Sequence, residues 1–166
     1  MKIVVHDASV LIDLHHAGAL DVWLAAGIEA WTTELVFFEV EQPLEKQRTS
    51  GALKVKHYSA EELIALDEAR SALPPTLSLQ DSSALLLAQT MEAALVTGDG
   101  DLRKAALAAG VEVHGILWIL DDMVAGAQTP PRHAADMLER ILKTRARLPA
   151  PECEVRLARW RSGRAK

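Results

Sequence analysis

Short apolar runs alternate along this chain with longer segments of helical period. Ile3, Val4 and Val5 are β-branched and apolar, too few for anything but a short buried strand. Val10, Leu11, Ile12 and Leu14 then open a helix. Residues 19–24 read as a second short helix closing at Gly27, and residues 30–33 as a strand. The helical period returns over residues 34–41, with Leu35, Val36 and Val40 on one stripe and Glu39 on that same stripe. Pro43 bends or ends this helix.

Residues 45–51 are charged and polar, hence exposed, and residues 54–58 a marginal strand or an extended connection. Ser59 starts a helix running through Leu63, Ile64 and Leu66 until Pro74 and Pro75 stop it. Ser78 to Asp81 open another, over residues 82–91, followed by an apolar strand at 94–96. A helix over 102–109 closes at Gly110, and residues 111–114 make the next strand. Residues 115–125 are apolar enough for a buried helix, and residues 132–144 repeat a helical pattern. A final helix begins after Pro151, with Val155, Leu157 and Trp160 on one side. Strand and helix alternating at this spacing imply right-handed crossovers and a parallel sheet.

Length changes the picture little: 166 residues make one domain with a sizeable core. Cys153, the single cysteine, excludes an internal disulfide and a cysteine-rich metal site. The apolar opening is short and carries Asp7, unlike a signal peptide, and no run approaches a membrane span, so the expectation is a soluble, cytoplasmic protein. Charge is uneven. Residues 1–129 hold 8 Lys/Arg and 19 Asp/Glu, whereas residues 130–166 hold 10 and 4. The basic end is either a solvated face or a contact for an anionic partner, nucleic acid or an acidic protein surface.

Candidate chemistry lies in four acids. Asp7 follows the first strand, where α/β sheets grip ligands, although it also suits a helix cap. Glu39, on an apolar stripe, needs either an ordinary salt bridge or a cation. Asp81 stands at the end of Ser78-x-x-Asp81, the spacing of a capping box. Gly98 and Gly100 flank Asp99 after the 94–96 strand; Asp101 suits the cap of the next helix, which leaves Asp99 without a structural task. In a doubly wound sheet these positions converge on one crevice. Two carboxylates about 4 Å apart repel by roughly 4 kcal/mol at an effective dielectric near 20, which raised pKa values or bound cations must relieve. Oxygen ligands without Cys or clustered His favour Mg²⁺ or Mn²⁺, and two such ions suit phosphodiester cleavage. Arg103 and Lys104 meet substrate phosphates or are merely solvated. The six histidines show no paired metal spacing, and Ser82 and Ser83 lack the strand–elbow setting of an esterase nucleophile.

The chain resembles the PIN-domain ribonucleases, and is similar to the VapC-type toxins and their bacterial relatives. The match rests on residues 6–11 (His-Asp-Ala-Ser-Val-Leu), the segment from Thr33 to Glu39, residues 80–84 (Gln-Asp-Ser-Ser-Ala), residues 95–99 (Leu-Val-Thr-Gly-Asp) and residues 110–115. Their order and spacing, over roughly residues 1–125, make a specific set of individually weak motifs. The resemblance implies a three-layer α/β/α fold with a central, mostly parallel sheet of five strands. It implies a PIN-like domain over residues 1–128 with a basic helical extension, 129–166, packed on it. It carries an acidic, metal-holding catalytic set onto Asp7, Glu39, Asp81 and Asp99, with Ser9, Thr97, Asp101 and Arg103 around it. The implied activity is Mg²⁺- or Mn²⁺-dependent hydrolysis of RNA. Homodimerisation and, for a toxin, an antitoxin partner are implied as well. Pro43 and the length of the basic segment depart from a minimal toxin. The rival class is a PIN fold that binds RNA or protein without turnover.

Overall fold

The first strand is the centre of the molecule. In the computed structural model, which describes residues 1–40 and 44–165, β1 (Ile3–His6) is followed by α1 (Ala8–His16), α2 (Leu20–Leu24), β2 (Glu29–Thr33) and α3 (Glu34–Glu39). Next come α4 (Glu45–Thr49), β3 (Lys54–Lys56), α5 (Ala60–Arg70), α6 (Leu79–Thr90), β4 (Ala94–Val96) and α7 (Gly100–Ala108). The chain ends with β5 (Val113–His114), α8 (Ile116–Ala125), α9 (Pro131–Leu142) and α10 (Ala150–Arg161). Five strands lie in the order β3-β2-β1-β4-β5, every neighbouring pair parallel.

Successive strand side chains point to opposite faces, and Val4 and Val5 are both fully buried, so helices cover the sheet on both sides. On one side α6 lies over β1, β2 and β4, with α3, α5 and α7 against it. Helices α2, α8 and α9 gather around α1. The result is the three-layer α/β/α arrangement. Among the described residues no helix is long and apolar enough to cross a membrane.

The basic C-terminal stretch belongs to this core. Ala134, Ala135, Leu138 and Ile141 of α9, with Cys153 and Trp160 of α10, join the same buried cluster as β1. Much of its positive charge is spent internally. Arg156 and Arg159 hold Asp121 at 2.6 and 2.7 Å, Arg161 holds Asp136 and Glu139, and Arg140 Nη1 donates to the Ala17 carbonyl at 3.1 Å.

Several expectations change. Residues 45–51 are exposed except at one position: α4 forms there and buries Gln47, whose amide donates to Asp21 at 2.8 Å. Polarity alone concealed one turn with a single inward side chain. Val155 is exposed, and Cys153 with Trp160 forms the buried side of α10 instead. The helix after Ser78 begins at Leu79, because Ser78 and Asp81 make both bonds of the capping box. Helix α3 stops at Glu39, and Pro43 lies outside the described residues.

Candidate active site

Sheet order places the site. Strands β1, β2 and β3 run outward one way and β4 and β5 the other, so the connections reverse between β1 and β4, where α/β proteins hold ligands beyond the strands' carboxyl ends. His6 pairs with Val96, and the Asp7 N–H donates to the Val96 carbonyl at 3.1 Å, fixing the two chain exits side by side.

Asp7 is both the cap of α1 and the most buried carboxylate of the crevice, with 4% of its surface exposed. Its Oδ1 accepts from the Ala8 N–H at 2.7 Å. Its Oδ2 accepts from the Ser9 hydroxyl at 2.9 Å and the Thr97 hydroxyl at 2.8 Å. The Gly98 N–H donates to Ser9 Oγ at 3.2 Å and the Asp99 N–H to Thr97 Oγ1 at 3.0 Å, so the loop after β4 is tied to Asp7 through two hydroxyls. A Cβ at Gly98 would stand 3.3 Å from Ser9 Oγ, which keeps this loop closest with glycine. Burial pushes the Asp7 pKa up, the Thr97 and Ser9 hydroxyls pull it down, and the Asp81 charge raises it further.

Glu39 reaches the same place from the end of α3, but it does not face inward: it is exposed, the apolar stripe being carried by Val36 and Val40. One residue of helical rotation at the last turn separates a core position from a rim position. Partial desolvation first, then the charges of Asp7 and Asp81, raise its pKa. Three acids therefore feel one another. The Thr33 hydroxyl donates to Ser83 Oγ at 2.7 Å, locking the start of α3 to α6, the helix that carries Asp81.

Asp81 and Asp99 are held back by their caps. Asp81 Oδ2 accepts from the Ser78 N–H at 2.8 Å. Asp99 caps α7, its Oδ1 accepting from the Asp101 and Leu102 N–H groups at 2.9 and 2.8 Å. This overturns the expected division of labour. Asp99 has a structural task after all, and Asp101 is an exposed first-turn residue pairing with Lys104 at 3.7 Å. Helix α7 begins two residues earlier than its apolar pattern, which moves the cap from Asp101 to Asp99.

Whether a divalent ion fits can be judged from the donors. The set is all hard oxygen, and among the described residues no Lys or Arg pairs with Asp7, Glu39, Asp81 or Asp99. Among the described residues, Oδ1 of Asp81, Oδ2 of Asp99 and both oxygens of Glu39 accept no hydrogen bond. As the side chains lie, no three described His, Cys, Asp or Glu residues close around one point. The donor chemistry fits a hard cation, while the side chains as they lie do not converge on one point.

Arg103 leans across the β4 exit, its Nη2 donating to the Thr97 carbonyl at 3.3 Å. Behind Asp7, His6 is fully buried with its Nδ1 3.1 Å from the Trp31 carbonyl, while its Nε2 accepts from Trp23 Nε1 at 2.8 Å. Sequence reasoning left His6 among ordinary core histidines and missed this support of β1. Its adjacency to Asp7 was the available signal, but Trp23 and Trp31 give none of their own.

A five-stranded parallel sheet with carboxylates and hydroxyls assembled at its reversal defines a three-layer α/β protein with an acidic crevice. More particularly, the chain belongs to the PIN-domain family, whose model (DUF3368: PIN domain) matches residues 3–162. PIN domains are generally nucleases that work with divalent metals, and the fold is of that nuclease type. Among solved structures, the crystal structure of PAE2754 from Pyrobaculum aerophilum is similar, with 20% identity over 77% of this chain and 98% of that one and a TM-score of 0.46. No curated protein matches the chain.

Proposed function

We propose that the protein is a Mg²⁺- or Mn²⁺-dependent endoribonuclease. The observation that carries this reading is Asp7: a buried carboxylate oriented by two hydroxyls, beside the charges of Asp81 and Glu39, with no Lys or Arg paired to it among the described residues. Maintaining such a group costs stability, and a bound cation removes the cost. Asp7 would be the fixed ligand, with Asp81, Glu39 and Asp99 completing the set. When bound, the ion supplies Lewis acidity toward a phosphodiester and a more acidic water. The chain's own part is to hold Asp7 ionised and immobile through Ser9 and Thr97, and to keep Glu39 at the rim where a water can be oriented. A PIN fold that binds without turnover is the reading that the same experiment would leave standing.

The test is cleavage of a fluorogenic single-stranded RNA with Mg²⁺ or Mn²⁺, wild type against Asp7→Asn. Divalent-dependent cleavage lost in the variant is expected. Equal cleavage by both proteins, or none by the wild type, ends the proposal. A homodimer and an antitoxin are part of the same proposal through the family resemblance, to be read by light scattering and by co-purification with the adjacent gene product.

A further inference from the structure

A groove of about 770 Å³ meets the crevice from the Asp99 side. Ser9, Thr97 and Asp99 line its inner end, whereas Asp7, Glu39 and Asp81 do not border it. The connection between α9 and α10 lines it too, so that Arg103, Arg145, Arg147 and Arg156 border the same groove, with Asp13 and Glu152 as its other acids. The alternation along this connection is regular. Ala146 and Leu148 pack against the core, so Arg145 and Arg147 are turned outward and exposed.

The two arginines share with Arg132 and Lys143 the lack of a partner among the described residues, and of these four they alone line the groove. Arg140, Arg156, Arg159 and Arg161 are engaged by carboxylates or a carbonyl of this chain, while Arg145 and Arg147 make no ion pair or hydrogen bond among the described residues. A protein with a net charge of −5 thus keeps uncommitted guanidinium groups beside its acidic crevice. The crevice repels a phosphate; a polyanion reaches it only if something nearby attracts the neighbouring phosphates. Arginine forks do this without reading bases. The groove does not supply an open indole face for a base: Trp118 is stacked by His114, with ring centroids 4.1 Å apart, and carries Lys2 Nζ 4.3 Å from its centroid.

We propose that the α9–α10 connection is the substrate grip, Arg145 and Arg147 holding the phosphates of a single-stranded RNA on the Asp99 side of the bond to be cut. This rests on the nuclease reading and names the part of the chain that binds the substrate. It also predicts weak sequence preference, because phosphate contacts carry none.

The experiment measures binding apart from turnover. A fluorescein-labelled single-stranded RNA is titrated in EDTA at several salt concentrations against wild type, Arg145→Ala/Arg147→Ala, and the charge-matched Arg132→Ala/Arg164→Ala, whose residues lie outside the groove and pair with no carboxylate among the described residues. Each phosphate contact on a single strand contributes about 0.7 to the slope of log affinity on log salt, so the groove variant should lose about 1.4 of slope and on the order of tenfold in affinity. The control variant should bind like wild type. Equal slopes for all three proteins, or equal losses in both variants, would overturn the proposal. So would capture of a polyglutamate peptide without capture of RNA, which would assign the groove to an acidic protein segment. If the groove variant alone loses binding while no divalent ion brings cleavage, the grip stands and the nuclease reading falls.

Discussion

Thr97→Val separates the orienting role of a hydroxyl from the bulk of the side chain that bears it. Thr97 is fully buried, and valine has nearly its shape, so packing is kept. Two hydrogen bonds go: the 2.8 Å donation to Asp7 Oδ2 and the 3.0 Å acceptance from the Asp99 N–H. A bond to an ionised group contributes about 1.5–3 kcal/mol, and an orphaned N–H costs about 1 kcal/mol more where it is half-buried. The added methyl returns about 0.8 kcal/mol. The net loss is about 2–3 kcal/mol, a fall in Tm of about 5–10 °C for a chain of this size.

The loss depends on pH in a definite direction. Burial raises the Asp7 pKa in the folded state, so ionised Asp7 works against folding, and stability falls as pH rises through the folded value. The Thr97 hydroxyl counters this by pulling the pKa down, and removing it raises the pKa further. The difference between wild type and variant must therefore widen as Asp7 ionises. Urea unfolding of both proteins, at neutral pH and within the ordinary carboxylate range, reads it directly. His6 titrates in both proteins and cancels in the difference. A penalty below about 0.5 kcal/mol, the size of an ordinary surface substitution, would refute the reasoning. A penalty independent of pH would refute it equally.

In Asp7→Asn the amide has one acceptor oxygen for the work of two. It can keep either the Ala8 cap or the Ser9 and Thr97 hydroxyls, so about 1 kcal/mol of capping is lost while the buried charge disappears. Chemical denaturation should then show a fold near wild-type stability at neutral pH, without the decline on ionisation; collapse of the fold would contradict this. His6 is held neutral, its pKa lowered to about 4 by burial. Its contribution is present above the unfolded value of 6.5 and is lost as pH falls toward 4, about 3 kcal/mol in all. In Asp7→Asn, which lacks the opposing gain from protonating Asp7, urea midpoints should decline already between about pH 6.5 and 5, before the surface carboxylates titrate; a flat profile there would show that His6 accepts a proton freely. Trp160→Ala should cost about 3–5 kcal/mol in calorimetry, as a fully buried ring of the common core. Trp160→Phe should cost far less, because the indole Nε1 has no hydrogen-bond partner among the described residues to lose. Equal losses would mean that the ring's packing is not what α10 contributes.

How much of this was readable along the chain follows from what each signal is made of. Strand positions came from β-branched runs such as Ile3 to Val5, because burial on both faces leaves no polar interruption. The capping box at Ser78 and Asp81 was readable because both its partners lie within one turn. Glu39 was misplaced and α4 went unread for one reason: a short amphipathic turn offers too few residues for a period to register. The shift of the cap from Asp101 to Asp99 came from the same weakness at a helix start. Arg145 and Arg147 were hidden among ten basic residues, since only folding shows which arginines are already engaged.

Capping and ligand binding stood as alternatives for Asp7 and Asp81, yet sheet topology makes them one property. In a parallel sheet each strand delivers the chain to the carboxyl edge, and the returning helix must begin there. Asp7, capping α1 after β1, and Asp99, capping α7 after β4, are consequently brought to the crevice by the act of capping. Asp81 arrives the same way at the start of α6. Each helix end favours its carboxylate by about 0.3–1 kcal/mol. That is enough to fix an orientation but small against roughly 4 kcal/mol for a pair of carboxylates drawn to 4 Å. Caps therefore explain where the acids stand and why they hold back from one another. They do not supply the attraction that would close them around a point, and that is the step the proposed divalent cation would supply.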